Sequence, residues 1–226
     1  MSEIIGVMGE SGTGKSTALR NLDPASTLII DADQKGLSWR GWKSQYNAAA
    51  HNYLRTSNPH EIKQILNQVN LIPHIKVVVI DTMNAIMVDD ELARMQQKGY
   101  DKWIDLAQDT YQIVQLCNAL RDDLFVILCF HTEIIDLDDG KGLSRIRTAG
   151  RKLQKIGLET KLPILLRTRV ECSATEGNKY YFETQALNST AKSPMDMFNS
   201  FLIPNDLKLV IDAVRNYDTI PSSVQA

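Results

Sequence analysis

Residues 9–17 read Gly-Glu-Ser-Gly-Thr-Gly-Lys-Ser-Thr and follow directly on the apolar run Ile4-Ile5-Gly6-Val7-Met8. No other stretch of the chain restricts its fold as tightly. The pattern G-x-x-x-x-G-K-[ST] requires a strand before it and a helix after it. The sequence predicts both, a strand over Ile4–Met8 and a helix from Ser16 to Asn21. Gly9, Gly12 and Gly14 let the backbone curl so that successive N–H groups point inward at phosphate oxygens. Glu10, Ser11, Thr13 and Thr17 complete the loop, and the helix N-terminus behind it adds partial positive charge. In that setting Lys15 reaches the β- and γ-phosphates of a nucleoside triphosphate, and the Ser16 hydroxyl ligates Mg²⁺. On average residue usage, a chance match in a chain of this length is roughly one in a hundred.

The rest of the composition narrows the setting. A charged fraction of 23% and a hydrophobic fraction of 43% describe an ordinary globular protein rather than a disordered one. The 226 residues suit one α/β domain, expected over 1–220, with 221–226 as a frayed tail beginning at Pro221-Ser222-Ser223. No apolar run approaches the roughly 20 residues of a membrane helix, so no membrane partner is expected. The first strand begins too early to leave room for a signal peptide. Cys117, Cys129 and Cys172 have no C-x-x-C spacing and read as reduced thiols, which points to the cytoplasm. His51, His60, His74 and His131 form no metal-ligand pair at helical spacing.

Val/Ile/Leu-dense runs such as Val77-Val78-Val79-Ile80 and Phe125-Val126-Ile127-Leu128 suggest strands buried on both faces, as in a parallel sheet. Strands are expected at Ile4–Met8, Thr27–Asp31, Asn52–Thr56, Lys76–Asp81, Leu124–His131, Pro163–Glu171 and Lys179–Thr184. Helices alternate with them. Asn58-Pro59-His60-Glu61 is an N-terminal signal, a cap residue followed by proline and then an acid. It opens Pro59–Asn70, and further helices are expected over Lys102–Arg121 and from Asn205-Asp206 through Val214. Pro163–Glu171 and Lys179–Thr184 read as a C-terminal antiparallel hairpin. The fold class is therefore α/β, a mostly parallel sheet with helices on both faces and a hairpin appendage.

Further residues carry chemistry. Lys76–Asp81 is an apolar strand ending in an acid at the sheet edge where ligands collect in open α/β proteins. Asp81 can hold Mg²⁺ through water opposite Ser16; the alternative is an acid capping the helix that starts at Thr82. Two strand candidates, Thr27–Asp31 and Asn52–Thr56, intervene between the loop strand and the Asp81 strand. Simple nucleotide kinases and GTPases usually have those two adjacent, and an inserted strand resembles the RecA/AAA-type ATPase branch. Ile30-Asp31-Ala32-Asp33 then resembles the acidic segment in which RecA-like ATPases hold their general base. Asp33 takes that role here, one methylene shorter than glutamate, with Glu10 and Asp31 in reserve and a turn-forming aspartate as the alternative. His131, at the tip of the Phe125–Phe130 run, is positioned to sense the γ-phosphate.

From Lys141 to Lys161 the chain carries seven basic residues against the single acid Glu159, although the whole chain has a net charge of −2. Arg145, Arg147, Arg151 and Lys152 suit phosphate neutralisation along single-stranded DNA, with Gly140-Lys141-Gly142 and Ala149-Gly150 as mobile flanks. A solvated basic helix face would look the same. No aromatic lies within the segment. Trp39-Arg40-Gly41-Trp42-Lys43-Ser44-Gln45-Tyr46 interleaves aromatics with cations and fits adenine stacking, DNA contact, a subunit joint or core packing.

Together these pieces resemble the phage-encoded, single-domain RecA-like ATPases of single-strand annealing and recombination. The loop, Val78-Val79-Ile80-Asp81-Thr82-Met83-Asn84 and Gln97-Lys98-Gly99-Tyr100-Asp101-Lys102-Trp103 carry the resemblance. So do Arg147-Thr148-Ala149-Gly150-Arg151-Lys152-Leu153, Tyr180-Tyr181-Phe182-Glu183-Thr184-Gln185 and Ala191-Lys192-Ser193-Pro194-Met195. It implies ATP and Mg²⁺ binding, single-stranded DNA binding, and assembly into a homo-oligomeric ring or filament with ATP between subunits. It also implies work beside a phage single-stranded-DNA-binding protein. Lys192 then corresponds to the charge a neighbouring subunit lends to the γ-phosphate. A small-molecule or nucleotide kinase and a non-hydrolysing ATP-dependent module are the competing readings.

Overall fold

The computed structural model describes residues 2–97, 99, 101–137, 141–173, 175 and 177–217, except for the side chains of Asp101, Lys102 and Arg151. Lys98, Tyr100, Gly140, the Arg151 side chain and the expected tail 221–226 therefore lie outside what is described. The strands are β1 (Glu3–Met8), β2 (Thr27–Asp31), β3 (Tyr53–Leu54), β4 (Val77–Asp81) and β5 (Phe125–Phe130). They continue with β6 (Thr132–Asp136), β7 (Gly142–Ile146), β8 (Ile164–Glu171), β9 (Lys179–Glu183) and β10 (Leu202–Pro204). Helices are α1 (Trp42–Gln45), α2 (Pro59–Val69), α3 (Met83–Ala93), α4 (Asp101–Ala119), α5 (Arg151–Ile156) and α6 (Leu207–Tyr217).

Eight strands form one sheet in the order β10-β9-β8-β1-β5-β4-β2-β3. Pairing is parallel from β8 to β3, and β9 and β10 add antiparallel at the β8 edge. Alternate side chains of a strand point to opposite faces, and the central strands are apolar at both parities. Ile4, Met8, Val78, Ile80, Val126 and Leu128 face one layer, built from α2, α3, α4 and α5. Ile5, Val7, Ile29, Val79, Ile127 and Cys129 face the other, where α6 contributes Leu207, Val210, Ile211 and Val214. Full burial of each such aliphatic side chain contributes about 1.5–3 kcal/mol, which fixes the strand register and with it the residues at the carboxyl ends. Helix α2 starts where the sequence signal stands, with the Asn58 side chain accepting from the His60 and Glu61 N–H groups.

Four local differences from the sequence expectation matter for the site. First, β1 and β4 are indeed not adjacent, but β5 separates them; β2 and β3 lie beyond β4. Second, the helix expected over Ser16 to Asn21 is a single 3-10 turn, Ser16–Leu19. Ala18 bonds back to Gly14, but Arg20 and Leu22 bond only three residues back, and Pro24 keeps Asp23 out of helical conformation. Third, the segment after β5 is not an open loop, because β6 and β7 pair antiparallel from Thr132↔Ile146 to Asp136↔Gly142. Fourth, β3 keeps only two residues of the strand expected over Asn52–Thr56. There Asn52 spends its side chain on the Pro24 and Gln45 carbonyls, and Thr56 bonds Glu61 at the start of α2. Among the described residues, no helix is long and apolar enough to cross a membrane.

Candidate functional site

The parallel strands deliver Met8, Asp31, Asp81 and Phe130 to one edge of the sheet, and the loop after β1 curls over it. Gly9 approaches β8 so closely that a Cβ there would meet the Thr168 hydroxyl at 1.8 Å. Glycine is thus required at position 9 by contact. Gly14 is required by conformation, at φ +100°. The Thr13 hydroxyl lies 2.6 Å from that of Thr168, which anchors the outer limb of the loop to β8.

Lys15 is buried, and its ammonium donates to the carbonyls of Gly9 and Glu10, both at 2.8 Å. An ammonium has three N–H donors; the third lies 3.4 Å from Nδ1 of His131. Burial lowers the Lys15 pKa, with neighbouring carboxylates including Asp81 opposing the shift. His131 is pushed below the ordinary histidine value by burial and then by Lys15. The Lys15 ammonium can only donate, so a hydrogen bond between them has Nδ1 as its acceptor and leaves Nε2 to carry the ring proton.

Ser16 Oγ donates to Asp81 Oδ2 at 2.5 Å. Asp81 is 1% exposed, and its other oxygen, Oδ1, has no hydrogen-bond partner. Burial raises the Asp81 pKa, and the Ser16 hydrogen bond only partly opposes this. A buried carboxylate with one orphaned oxygen costs free energy unless something cationic completes it. Among the described residues no group of three or more His, Cys, Asp and Glu could hold a metal ion. One hydroxyl and one carboxylate suit a cation that takes its remaining ligands from water and phosphates, as Mg²⁺ does. The acid is not the cap of α3, because the Thr82 hydroxyl accepts from the Ala85 N–H.

Asp33 sits past the end of β2, beside the Asp81–Thr82 segment, and its charge acts on Lys15 and His131. Its N–H donates to the Asp81 carbonyl at 3.3 Å, and its carboxylate accepts from Thr82 Oγ1 at 3.2 Å and is ion-paired with Lys35. Burial lowers the Lys35 pKa, but the bond to Asp33 and the charges of Asp81, Asp33 and Asp31 together outweigh it, and the pKa is raised. Of the reserves, Asp31 is spent on structure, accepting from the Tyr53 hydroxyl and the Gly36 N–H, and Glu10 is exposed.

One residue absent from the sequence expectation joins the site. Asn84, in the first turn of α3, accepts from the His131 N–H at 2.7 Å and donates to the Arg147 carbonyl at 2.8 Å. The Arg147 N–H in turn donates to the His131 carbonyl at 2.8 Å. Asn84 thereby staples the base of the β6–β7 ribbon to the helix that follows Asp81. Its only signal in the sequence is its place three residues after that acid. A cleft of about 390 Å³ opens here, walled by Asp33, Gln34, Asn84, Asp89, His131 and Arg147.

The expected cationic patch is divided. Arg145 is ion-paired at 2.7 Å with Glu133 across the ribbon, and Arg147 lines the cleft beside His131. Lys152 lies on α5 and faces a different groove. Lys192 is bonded through its backbone to Leu165 of β8 in both directions, at 2.8 Å each, and makes no described contact with the loop. Of the Trp39–Tyr46 segment, Tyr46 is fully buried, Trp39 meets it edge-on at 6.0 Å, and Trp42 lies 5.1 Å from Tyr53. Within the chain these aromatics pack the layer that faces α6.

No protein-family model matches this chain, and no curated protein matches it.

Proposed function

We propose that the chain is a Mg²⁺-dependent ATPase of the P-loop, RecA-like type that binds single-stranded DNA and acts in phage recombination or strand annealing. The observation that carries this reading is the convergence of Lys15, Ser16, Asp81 and His131 behind a glycine-rich loop, with the Asp81 Oδ1 atom lacking a partner. The placement of β5 between β1 and β4 supports the RecA/AAA-type branch over the kinase arrangement. Ser16 and Asp81 would hold Mg²⁺, which would offset the negative charge of the phosphates. Lys15 exchanges the Gly9 and Glu10 carbonyls for phosphate oxygens, and His131 offers its Nε2–H. Asp33, ion-paired with Lys35, orients water as general base. Lys192 of a neighbouring subunit completes the charge in a ring or filament, and a phage single-stranded-DNA-binding protein is the expected co-worker.

A second reading, a non-hydrolysing ATP-dependent module, is favoured by one observation: the Asp33 carboxylate is already engaged by Lys35 and Thr82. Phosphate release measured with and without single-stranded DNA, across salt concentrations, separates the readings. DNA stimulation that fades with salt is expected of the ATPase. Tight ATP binding without phosphate release would replace it with the second reading, and phosphate transferred to an added nucleoside would replace it with a kinase.

A further inference from the structure

The second half of the basic segment turns away from the cleft. Helix α5 buries Leu153 in the core and leaves Lys152 and Lys155 exposed on one side, at i,i+3 spacing. Between α5 and α4 runs an open trough of about 450 Å³, walled by Ile104, Ala107, Tyr111, Lys152, Lys155 and Ile156. Lys161, in the 3-10 turn Leu158–Lys161, brings its ammonium to 5.9 Å from the Tyr111 ring centroid. The described acids of α4 are engaged elsewhere. Asp105 and Asp109 are taken up by Arg94 of the α3 end, and Asp109 also by Lys63 of α2. Lys152, Lys155 and Lys161 have no carboxylate partner among the described residues.

We infer that this trough is a contact for single-stranded nucleic acid, in which Tyr111 stacks on a base and Lys152, Lys155 and Lys161 neutralise backbone phosphates. It rests on the DNA-binding reading above and adds to it the aromatic that the basic segment itself lacks. A nucleobase is flat and apolar on its faces, which matches a tyrosine that shares the trough with two isoleucines. A phosphate chain needs cations strung along the rim of an open channel rather than gathered at one point, which matches lysines from two successive elements. An acidic peptide with apolar side chains would use the same lysines but has no need of an aromatic plane, and this difference makes the inference testable.

The test is fluorescence-anisotropy titration of the full chain with an oligodeoxythymidylate and with an abasic strand of equal length. The proteins compared are the wild type, Tyr111→Leu, Tyr111→Phe and the double variant Lys152→Ala/Lys155→Ala. Tyr111→Leu is expected to weaken thymidylate binding roughly 5- to 150-fold, while Tyr111→Phe stays close to wild type. The wild type should prefer the base-bearing strand, and Tyr111→Leu should lose that preference. This internal ratio does not depend on the fraction of folded protein. The lysine pair should reduce the log–log salt slope by about 1.4. Wild-type binding that Tyr111→Leu leaves unchanged, with its preference for bases intact, overturns the inference while the DNA-binding reading stands. An acidic apolar peptide that occupies the trough without displacing the strand overturns it as well. No wild-type binding to either strand removes the DNA reading itself.

Discussion

Replacing Asp81 with asparagine should stabilise the nucleotide-free protein while removing its function. Asp81 is 1% exposed, one oxygen accepts from Ser16, and the other has no partner. A buried polar group left unsatisfied costs about 1–3 kcal/mol, and more when charged. Asparagine keeps the shape and can still accept from Ser16, but its NH₂ takes the orphaned place, so the substitution recovers only the excess cost of a charged over a neutral group, about 1 kcal/mol. Lys15 loses a neighbouring negative charge, which offsets part of this, but the Gly9 and Glu10 carbonyls still hold its ammonium. For a chain of 226 residues, the corresponding rise in Tm is about 2–4 °C.

The sign of the pH dependence follows from the raised Asp81 pKa. Between the ordinary aspartate value and its raised native value, the folded state binds the proton better than the unfolded state does. Wild-type stability therefore falls across that window as pH rises, and the fall is complete above the native pKa. The advantage of Asp81→Asn should accordingly be small near the ordinary aspartate value and grow as pH rises through the window. Thermal melts at several pH values, without nucleotide or Mg²⁺, check this. Adding Mg²⁺ and ATP should reverse the order, because only the wild type gains their binding free energy. If Asp81→Asn is less stable than wild type at neutral pH, the orphaned carboxylate is not the destabilised group argued here.

Three other substitutions probe separate parts of the site. Gly9→Ala should destabilise by about 1–3 kcal/mol and abolish phosphate binding, because its Cβ would meet Thr168 Oγ1 at 1.8 Å. Adding Thr168→Ala should restore part of the stability in denaturant melts. Asn84→Ala leaves the Arg147 carbonyl and the His131 N–H without their side-chain partner, at about 1–3 kcal/mol. Hydrogen exchange should accelerate through 131–147 and not in β1; protection unchanged in that segment would remove Asn84 from the site. Lys192→Ala should abolish DNA-stimulated phosphate release while sparing ATP binding, and an undiminished rate in the assembled state would exclude its action across subunits.

The parts of this protein that are legible in its sequence are those set by short-range rules. Apolar runs buried on both faces place β1, β4 and β5, and Asn58-Pro59 places the start of α2. The glycine-lysine-serine spacing places Lys15 and Ser16, and the strand end places Asp81. What is not legible depends on which strands become neighbours. Chain order suggested that β2 and β3 separate β1 from β4, but the inserted strand is β5, and Asp33 at the end of β2 is bonded to Thr82. The cationic segment reads as one patch because its residues are close in sequence. Pairing of β6 with β7 sends Arg145 to Glu133 and Arg147 to the cleft, and α5 carries Lys152 to Tyr111. The contacts of Asn84 are not legible in the sequence for a related reason, since its partners lie 47 and 63 residues away.

The central claim is that the loop over residues 9–17 and Asp81 together hold Mg²⁺ and a nucleoside triphosphate. Titration calorimetry of ATP into the wild type and Lys15→Ala, each with Mg²⁺ and with EDTA, tests it most directly. Saturable binding that requires Mg²⁺ and disappears in Lys15→Ala is the predicted result. A wild type that does not bind ATP, or a Lys15→Ala variant that binds it as tightly as wild type, would contradict the account.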